Sequence, residues 1–259
     1  MSKHETSFFI GWAQPEGSVW RSFVLVAAVF IAVFSGAAFL TAATQSDPGD
    51  GTFRWDWGRQ MVVGTLTEAP YPTIHVETSE KVPEGTTILL SGVGKRGVQG
   101  RSAPLDGKRV AASGVFLTRG DLTMLQVRGG AEGLSAAQPN GAGAASPSSA
   151  PTPVPLGRWR LTGEICDGKC YAGAMRPGTG LAHKACANLC LVGGVPPVFV
   201  STAPVDGEVF FLMGSSDGGP VTDVVLGHTA TRVSVEGEVE RRGSLPVFLI
   251  DPDSIEIVR

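Results

Sequence analysis

The chain has 259 residues, of which 35 are glycine and 18 are proline, while 7% are aromatic and only 17% are charged. Its formal net charge of −3 at pH 7 lacks the excess of Lys and Arg that proteins use to hold nucleic acid, so we expect no nucleic-acid partner. Abundant turn residues favour short strands joined by tight turns, which predicts a mainly β protein. The length allows two small domains.

The first predicted element is a membrane span. Residues 23–43 (FVLVAAVFIAVFSGAAFLTAA) carry no charge and are almost wholly apolar. About twenty such residues cross the roughly 30 Å hydrocarbon core of a bilayer as a helix. The stretch is longer than the apolar region of about 7–15 residues in a cleavable signal peptide. We therefore predict a retained anchor after an N-terminal head at 1–22, with cleavage near 41–44 as the alternative.

The anchor also predicts where the rest of the chain lies. A single N-terminal span with a short head and a long tail normally sends the tail outward, so we place residues 47–259 outside the membrane. The predicted location is the bacterial cytoplasmic membrane, crossed once, with the C-terminal domains in the periplasm. That compartment permits disulfides. The expected partners are the membrane itself and a membrane or periplasmic protein.

An uncharged segment divides the exported part in two. QPNGAGAASPSSAPTPVP, at 138–155, is rich in alanine, proline and serine, cannot bury a core and is typical of a linker. We predict a first domain at 58–133, a linker at 134–156 and a second domain at 157–259.

The two halves have similar sequences. GKRVAASGVFLTRGDLTMLQV, from 107, aligns without a gap onto ATRVSVEGEVERRGSLPVFLI, from 230, at an offset of 123, which indicates an internal duplication. Each half predicts five strands with a glycine in the fourth, and the last strand of the second half is predicted to run from 246 to 258. Residues 221–227 predict a short helix before the fourth strand of the second half. This pattern resembles the OB-fold, a five-stranded Greek-key barrel. The resemblance implies two OB-like barrels.

The second half contains an insertion that holds every cysteine of the chain. VVGTL, from 62, matches LTGEI, from 161, at an offset of only 99, so the second half has gained about 24 residues after its first strand. The cysteine-rich stretch 166–190 falls at this place. In the OB-fold this loop is one of the two that bind ligands. Long loops in compact domains are also more often functional than idle.

The spacing within the insertion predicts a metal site. AHKACANLC predicts a short helix that places Cys186 and Cys190 on one face, with His183 one turn earlier. Thiolates and imidazoles bind zinc, and copper(I) is soft enough for the same ligands. CANLC is similar to the Cys-x3-Cys of copper-carrying assembly proteins and of the binuclear copper site in oxidase subunits. The oxidase motif is followed closely by a histidine and a methionine, and this sequence has neither there. The candidate ligands are Cys166, Cys170, His183, Cys186 and Cys190.

Three functions remain open at this point. The first is a membrane-anchored extracytoplasmic accessory protein that binds zinc, copper or a redox partner through the insertion and assists a membrane enzyme complex. The second is a protein-interaction module whose loop is stapled by two disulfides and holds no metal. The third is a thiol–disulfide oxidoreductase. No catalytic triad or carboxylate pair stands out, so we expect a protein that is not an enzyme.

One further motif is interpreted as a turn. GVGKRG, at 92–97, matches G-x-G-x-x-G, but the next predicted strand follows too soon for the strand–turn–helix unit of a dinucleotide site. Basic residues concentrate here, which predicts a solvated loop or a contact with lipid headgroups or an acidic partner. They are Lys95, Arg96, Arg101, Lys108 and Arg109.

Overall fold

The computed structural model describes residues 17–44, 50–137 and 150–258. The predicted head up to residue 16 and residues 138–149 of the predicted linker lie outside the described residues. The chain divides into two units, Met1–Asp47 and Pro48–Arg259.

The described part of the first unit is one helix, α1 (Gly17–Thr44). Among the described residues it is the helix that is long and apolar enough to span a membrane, with a mean hydropathy of 2.7 over its most apolar window. The predicted span at 23–43 lies wholly inside it. At 1.5 Å per residue its 28 residues extend about 42 Å, which is longer than the roughly 30 Å hydrocarbon core of a bilayer.

The second unit begins with a closed five-stranded barrel. The elements of this half are β1 (Thr52–Phe53), β2 (Gln60–Thr67), β3 (Thr73–Ser79), β4 (Thr87–Ser91), α2 (Gln99–Ser102), β5 (Arg109–Arg119), β6 (Leu122–Val127) and β7 (Leu134–Ala136). β2 pairs with β3 and with β5, β3 pairs with β4, β4 runs parallel to β6, and β6 pairs with β5 to close the sheet. The short strands β1 and β7 add to β5.

The rest of the second unit is a barrel with the same pairing. The elements are β8 (Val154–Asp167), α3 (Lys184–Val192), β9 (Pro197–Val205), β10 (Glu208–Ser215), α4 (Thr222–Val225), β11 (Arg232–Arg242), β12 (Leu245–Ile250) and β13 (Glu256–Ile257). β8 pairs with β9 and β11, β9 pairs with β10, β10 runs parallel to β12, and β12 pairs with β11. The short β13 adds to β11.

The predicted fold class is confirmed. An apolar N-terminal helix precedes two closed five-stranded barrels, and the cysteine-rich insertion belongs to the second. In each barrel the third and fifth strands are parallel and the first pairs with the second and fourth, which is the Greek-key order of the OB-fold. Because a closed barrel leaves no free sheet edge, loops are the natural place for binding groups. The internal duplication stays a prediction.

The last strand is shorter than the sequence predicts. A continuous strand was expected from Pro246 to Val258, but β12 ends at Ile250 and a 3₁₀ turn follows at Pro252–Ser254. Proline has no N–H to continue the ladder, so the strand stops and β13 pairs with β11 separately.

Close packing of two strands requires a glycine in the fourth strand of the second barrel. A Cβ on Gly237 would lie 2.3 Å from the carbonyl oxygen of Leu249, which no real side chain tolerates. The backbone of β12 therefore passes closer to β11 than any larger residue allows.

Each barrel has its own apolar core, and a third buried cluster lies between the two barrels. A buried cluster joins Leu89 and Met124 of the first barrel to Val198 and Leu212 of the second. Hydrogen bonds cross the same boundary, because the Tyr71 hydroxyl accepts from the backbone N–H of Val221 at 3.0 Å. The insertion is thus packed within one compact unit that contains both barrels.

Candidate metal centre

The insertion between β8 and β9 folds into two short helical pieces around a cluster of sulfur atoms. A wide helical turn at Cys170–Ala174 follows β8, and a 3₁₀ turn at Leu181–His183 leads directly into α3. Cys186 and Cys190 lie one turn apart on α3, as the spacing predicts. These elements bring side chains that are far apart in sequence to one place.

A buried carboxylate organises the floor of the cluster. Asp167, the last residue of β8, is fully buried and accepts a hydrogen bond at 2.8 Å from the backbone N–H of Cys170. Its other oxygen lies 2.9 Å from Nε2 of His183, which is also buried. A buried carboxylate needs such partners, and here they fix both the turn that carries Cys170 and the imidazole.

The sulfur atoms of the insertion converge on this floor. The Sγ atoms of Cys170 and Cys186 are 4.0 Å apart, and Cys186 Sγ lies 3.1 Å from Sδ of Met175. The potential ligand atoms form two sets, and within each set all atoms lie within 4.8 Å of one another. The first set is Cys170, His183 and Cys186, and the second is Asp167, Cys170 and Cys190. Cys170 belongs to both sets, and Cys170, His183, Cys186 and Cys190 sit close enough to hold a metal ion.

Cys166 lies outside this cluster. It belongs to neither set of potential ligands, and its side chain packs in the core between the barrels with its Sγ 3.3 Å from Oε1 of Glu164. Side chains of consecutive strand residues point to opposite faces, so Cys166 and Asp167 at the end of β8 diverge. Of the five predicted ligands, the structure therefore brings four together and gives Asp167 the place of the fifth.

The first barrel also contributes to the site. Nζ of Lys95, in the GVGKRG turn, lies 2.6 Å from Sγ of Cys186 and 3.9 Å from Sγ of Cys190. The turn is docked on the insertion, because the backbone N–H of Gly97 donates to the carbonyl of Gly193 at 2.7 Å. In return, buried Lys169 donates to the carbonyls of Gly92 and Gly94 at 2.6 and 2.7 Å.

Hydrogen bonds and burial shift the ionisation of these groups. The pKa of Cys190 lies below its ordinary value because it accepts a hydrogen bond from Cys170, and the pKa of Cys170 is raised for the same reason and by burial. The hydrogen bond to Cys186 raises the pKa of Lys95. Burial raises the pKa of Cys166, which keeps this thiol protonated and unreactive. Cys190 is thus the thiol that ionises most readily in this pair.

The buried ammonium of Lys169 predicts a measurable pH dependence. Burial lowers the pKa of Lys169 to about 8 from 10.5. Between pH 8 and pH 10.5 this lysine is protonated in the unfolded chain and largely neutral in the folded one, so the free energy of unfolding rises with pH across this range. Relative to a Lys169→Met variant, the metal-free protein should gain about 3 kcal/mol between pH 8 and 10.5. Denaturant titrations of both proteins across this range check the result, and parallel stability curves would contradict it.

The arrangement can bind a soft cation. Three thiols, an imidazole and a carboxylate offer more than the four ligands of a tetrahedral zinc site, and thiolates with a neighbouring thioether also suit copper(I). The ammonium of Lys95 offsets thiolate charge next to Cys186. Cys186 is half-buried while Cys170 and Cys190 are buried, so solvent reaches the cluster at Cys186.

Two groups of the site escape local sequence reasoning. Asp167 is adjacent to a predicted ligand, and only the alternation of a strand shows that it, and not Cys166, faces the insertion. Lys95 belongs to the other barrel, and no sequence spacing links it to Cys186. The basic cluster around the GVGKRG turn was the available signal for it.

No protein family matches the chain, and neither a curated protein nor a solved structure shows significant similarity to it.

Proposed function

We propose that this protein is a membrane-anchored extracytoplasmic accessory protein that binds zinc or copper(I) in the insertion of its second barrel and assists a membrane enzyme complex. The ligands are Cys170, Cys186 and Cys190, with His183 or Asp167 as the fourth. The helix α1 supplies the anchor, and its predicted orientation places the barrels in the periplasm.

One observation carries the proposal. Three sulfur atoms and an imidazole from two separate segments converge around a buried carboxylate within reach of a single ion. The hydrogen bond between Asp167 and His183 supports the same conclusion, because carboxylates commonly orient metal-binding imidazoles in this way. The packed barrels hold the ligands in place, and half-buried Cys186 leaves a route by which the metal ion can enter and leave the site.

The first test is the metal content of the protein. The full chain is purified in detergent without chelators, and elemental analysis is combined with thiol alkylation and mass spectrometry on the same sample. The proposal predicts about one zinc or copper per chain, with Cys170, Cys186 and Cys190 protected from alkylation until a chelator is added. Absence of metal together with protection that only a reductant removes would refute it in favour of a disulfide-stapled interaction module.

Met175 distinguishes the two metals. Its thioether lies 3.1 Å from Sγ of Cys186, and thioethers bind copper(I) but are not zinc ligands in proteins. A Met175→Leu variant should bind copper(I) roughly tenfold more weakly if the thioether ligates, whereas its zinc affinity should stay within about twofold. Competition titrations with chromophoric chelators measure both affinities. An equal loss for the two metals would show that Met175 acts through packing.

Thiol–disulfide exchange is the second candidate function. The Sγ atoms of Cys170 and Cys186 are 4.0 Å apart, so modest side-chain rotation would allow a bond of about 2.05 Å. Cys190, whose pKa is lowered by its hydrogen bond with Cys170, is a third thiol near this pair. If the metal-free protein catalyses the reduction of a model disulfide by glutathione, which supplies the two electrons, and Cys190→Ser abolishes the catalysis, this function is favoured over metal binding.

A further inference from the structure

The outward side of α3 is apolar along its whole length. The exposed positions Ala182, Ala185, Leu189 and Val192 recur at helical spacing on one stripe, and Leu189 and Val192 are 60% and 68% exposed. The opposite side of the helix, with Ala187 and Leu191, is buried on the barrel. Leu181, just before the helix, is 70% exposed. A stripe of this kind indicates a surface that contacts something apolar.

Two of the segments that border this stripe carry only basic charge, while α4, which also packs on α3, carries the exposed Asp223. The insertion from 168 to 197 and the stretch from 92 to 101 contain six Lys and Arg residues, of which Lys169 is buried, and no Asp or Glu, in a chain whose net charge is −3. Lys95 and Arg96 are exposed, and Val93 beside them is 56% exposed. These residues adjoin α3, because the turn that carries them is docked on Gly193 at the end of the helix. The charge pattern fits an anionic surface.

The insertion has a short chain path to the candidate membrane span. The carbonyl of Gly51 accepts a hydrogen bond at 3.1 Å from Nε of Arg176, which belongs to the insertion. Thr44, the last residue of α1, precedes Gly51 by seven residues, and a chain of that length spans at most about 25 Å. A tether this short keeps the second unit close to a bilayer that α1 spans, so any surface of that unit with affinity for lipid meets it at high effective concentration.

We propose that this α3 face, formed by Leu181, Leu189, Val192, Val93, Lys95 and Arg96, docks on the anionic lipid headgroups of the membrane that α1 spans. The apolar side chains insert at the level of the headgroups and acyl chains, and Arg96 pairs with lipid phosphates. Lys95, whose ammonium contacts Cys186, adds long-range attraction to the anionic surface. A lipid surface accounts for both the apolar stripe and the basic flanks, and the anchor already supplies it. Metal binding plays no part in this proposal.

Photocrosslinking of the full chain tests the contact. Photoreactive benzoylphenylalanine replaces Val192, or in a matched control Val209, which lies on β10 of the same barrel and is 44% exposed. Each protein is reconstituted in vesicles of phosphatidylcholine with or without phosphatidylglycerol, irradiated and analysed by mass spectrometry. We expect lipid adducts at position 192 at least about fivefold above those at 209 in anionic vesicles, falling at high salt. Removing one charge with Arg96→Gln should lower the yield about fivefold.

The other outcomes overturn the proposal. Equal yields of lipid adduct at positions 192 and 209 would exclude specific docking on anionic headgroups. A yield at position 192 that is the same with and without phosphatidylglycerol would exclude it too. If irradiation in native membranes gives a protein adduct at 192 in place of the lipid adduct, the face binds an acidic protein instead. Circular dichroism of each variant confirms that the barrels remain folded.

Discussion

A Cys190→Ser variant is expected to lose at least about 100-fold in affinity for zinc and for copper(I). Cys190 is buried, and its thiol belongs to the set that also contains Asp167 and Cys170. Serine keeps the size of the side chain but removes the thiolate that a soft metal prefers. Titration of the metal-free protein against competing chelators measures the loss.

Cys166 supplies the matched control. It is equally buried, yet it packs between the barrels and belongs to neither ligand set. A Cys166→Ala variant should therefore keep its metal affinity within about twofold, while its free energy of unfolding falls by about 1 kcal/mol from the lost packing. Loss of metal in both variants would contradict the structure and restore Cys166 as a ligand.

Replacement of Gly193 by alanine is expected to separate the first barrel from the insertion. A Cβ at this position would lie 1.8 Å from the carbonyl oxygen of Lys95, so the GVGKRG turn has to move away. The move breaks the hydrogen bond from Gly97 to Gly193 and withdraws Lys95 from Cys186. We expect the free energy of unfolding to fall by about 3 kcal/mol, as for overpacking of a well-packed interface.

Gly227 is the control for this substitution. No atom lies within 4 Å of a Cβ built there, so Gly227→Ala should change the free energy of unfolding by less than about 1 kcal/mol. Denaturant unfolding followed by circular dichroism compares the two variants. Metal stoichiometry should survive in Gly193→Ala, because all candidate ligands lie in the second barrel. Equal stabilities for the two variants would mean that the turn is not docked as described.

The barrels were predictable because their signals are local. Strand alternation and turn glycines mark each strand, and the glycine of the fourth strand, Gly237, marks the close approach of β11 and β12. The predicted extent of the last strand of the second barrel was wrong. The apolar pattern continues past Asp251, but Pro252 ends the hydrogen-bonded ladder. The packing of the two barrels against each other could not be predicted from local sequence patterns, because it joins residues far apart in the chain. Tyr71 and Val221, for example, are 150 residues apart.

The candidate site was predictable only where one element carries it. The helical spacing of His183, Cys186 and Cys190 predicted that they share one region, and the structure brings them together. Cys166 and Cys170 were both predicted to be metal ligands. The strand β8 ends between them, at Asp167, and Asp167 rather than Cys166 faces the insertion. Contacts between barrels, such as that of Lys95, depend on tertiary packing that sequence spacing does not encode.

X-ray absorption spectroscopy of the metal-loaded full chain tests the central claim most directly. With zinc bound, we predict about three sulfur neighbours at about 2.3 Å and one nitrogen or oxygen neighbour at about 2.0–2.2 Å, and a reduced sulfur count in Cys190→Ser. With copper(I), the first shell should again be dominated by sulfur. A first shell made only of nitrogen and oxygen would show that the metal binds elsewhere and that the cysteine cluster is not its site.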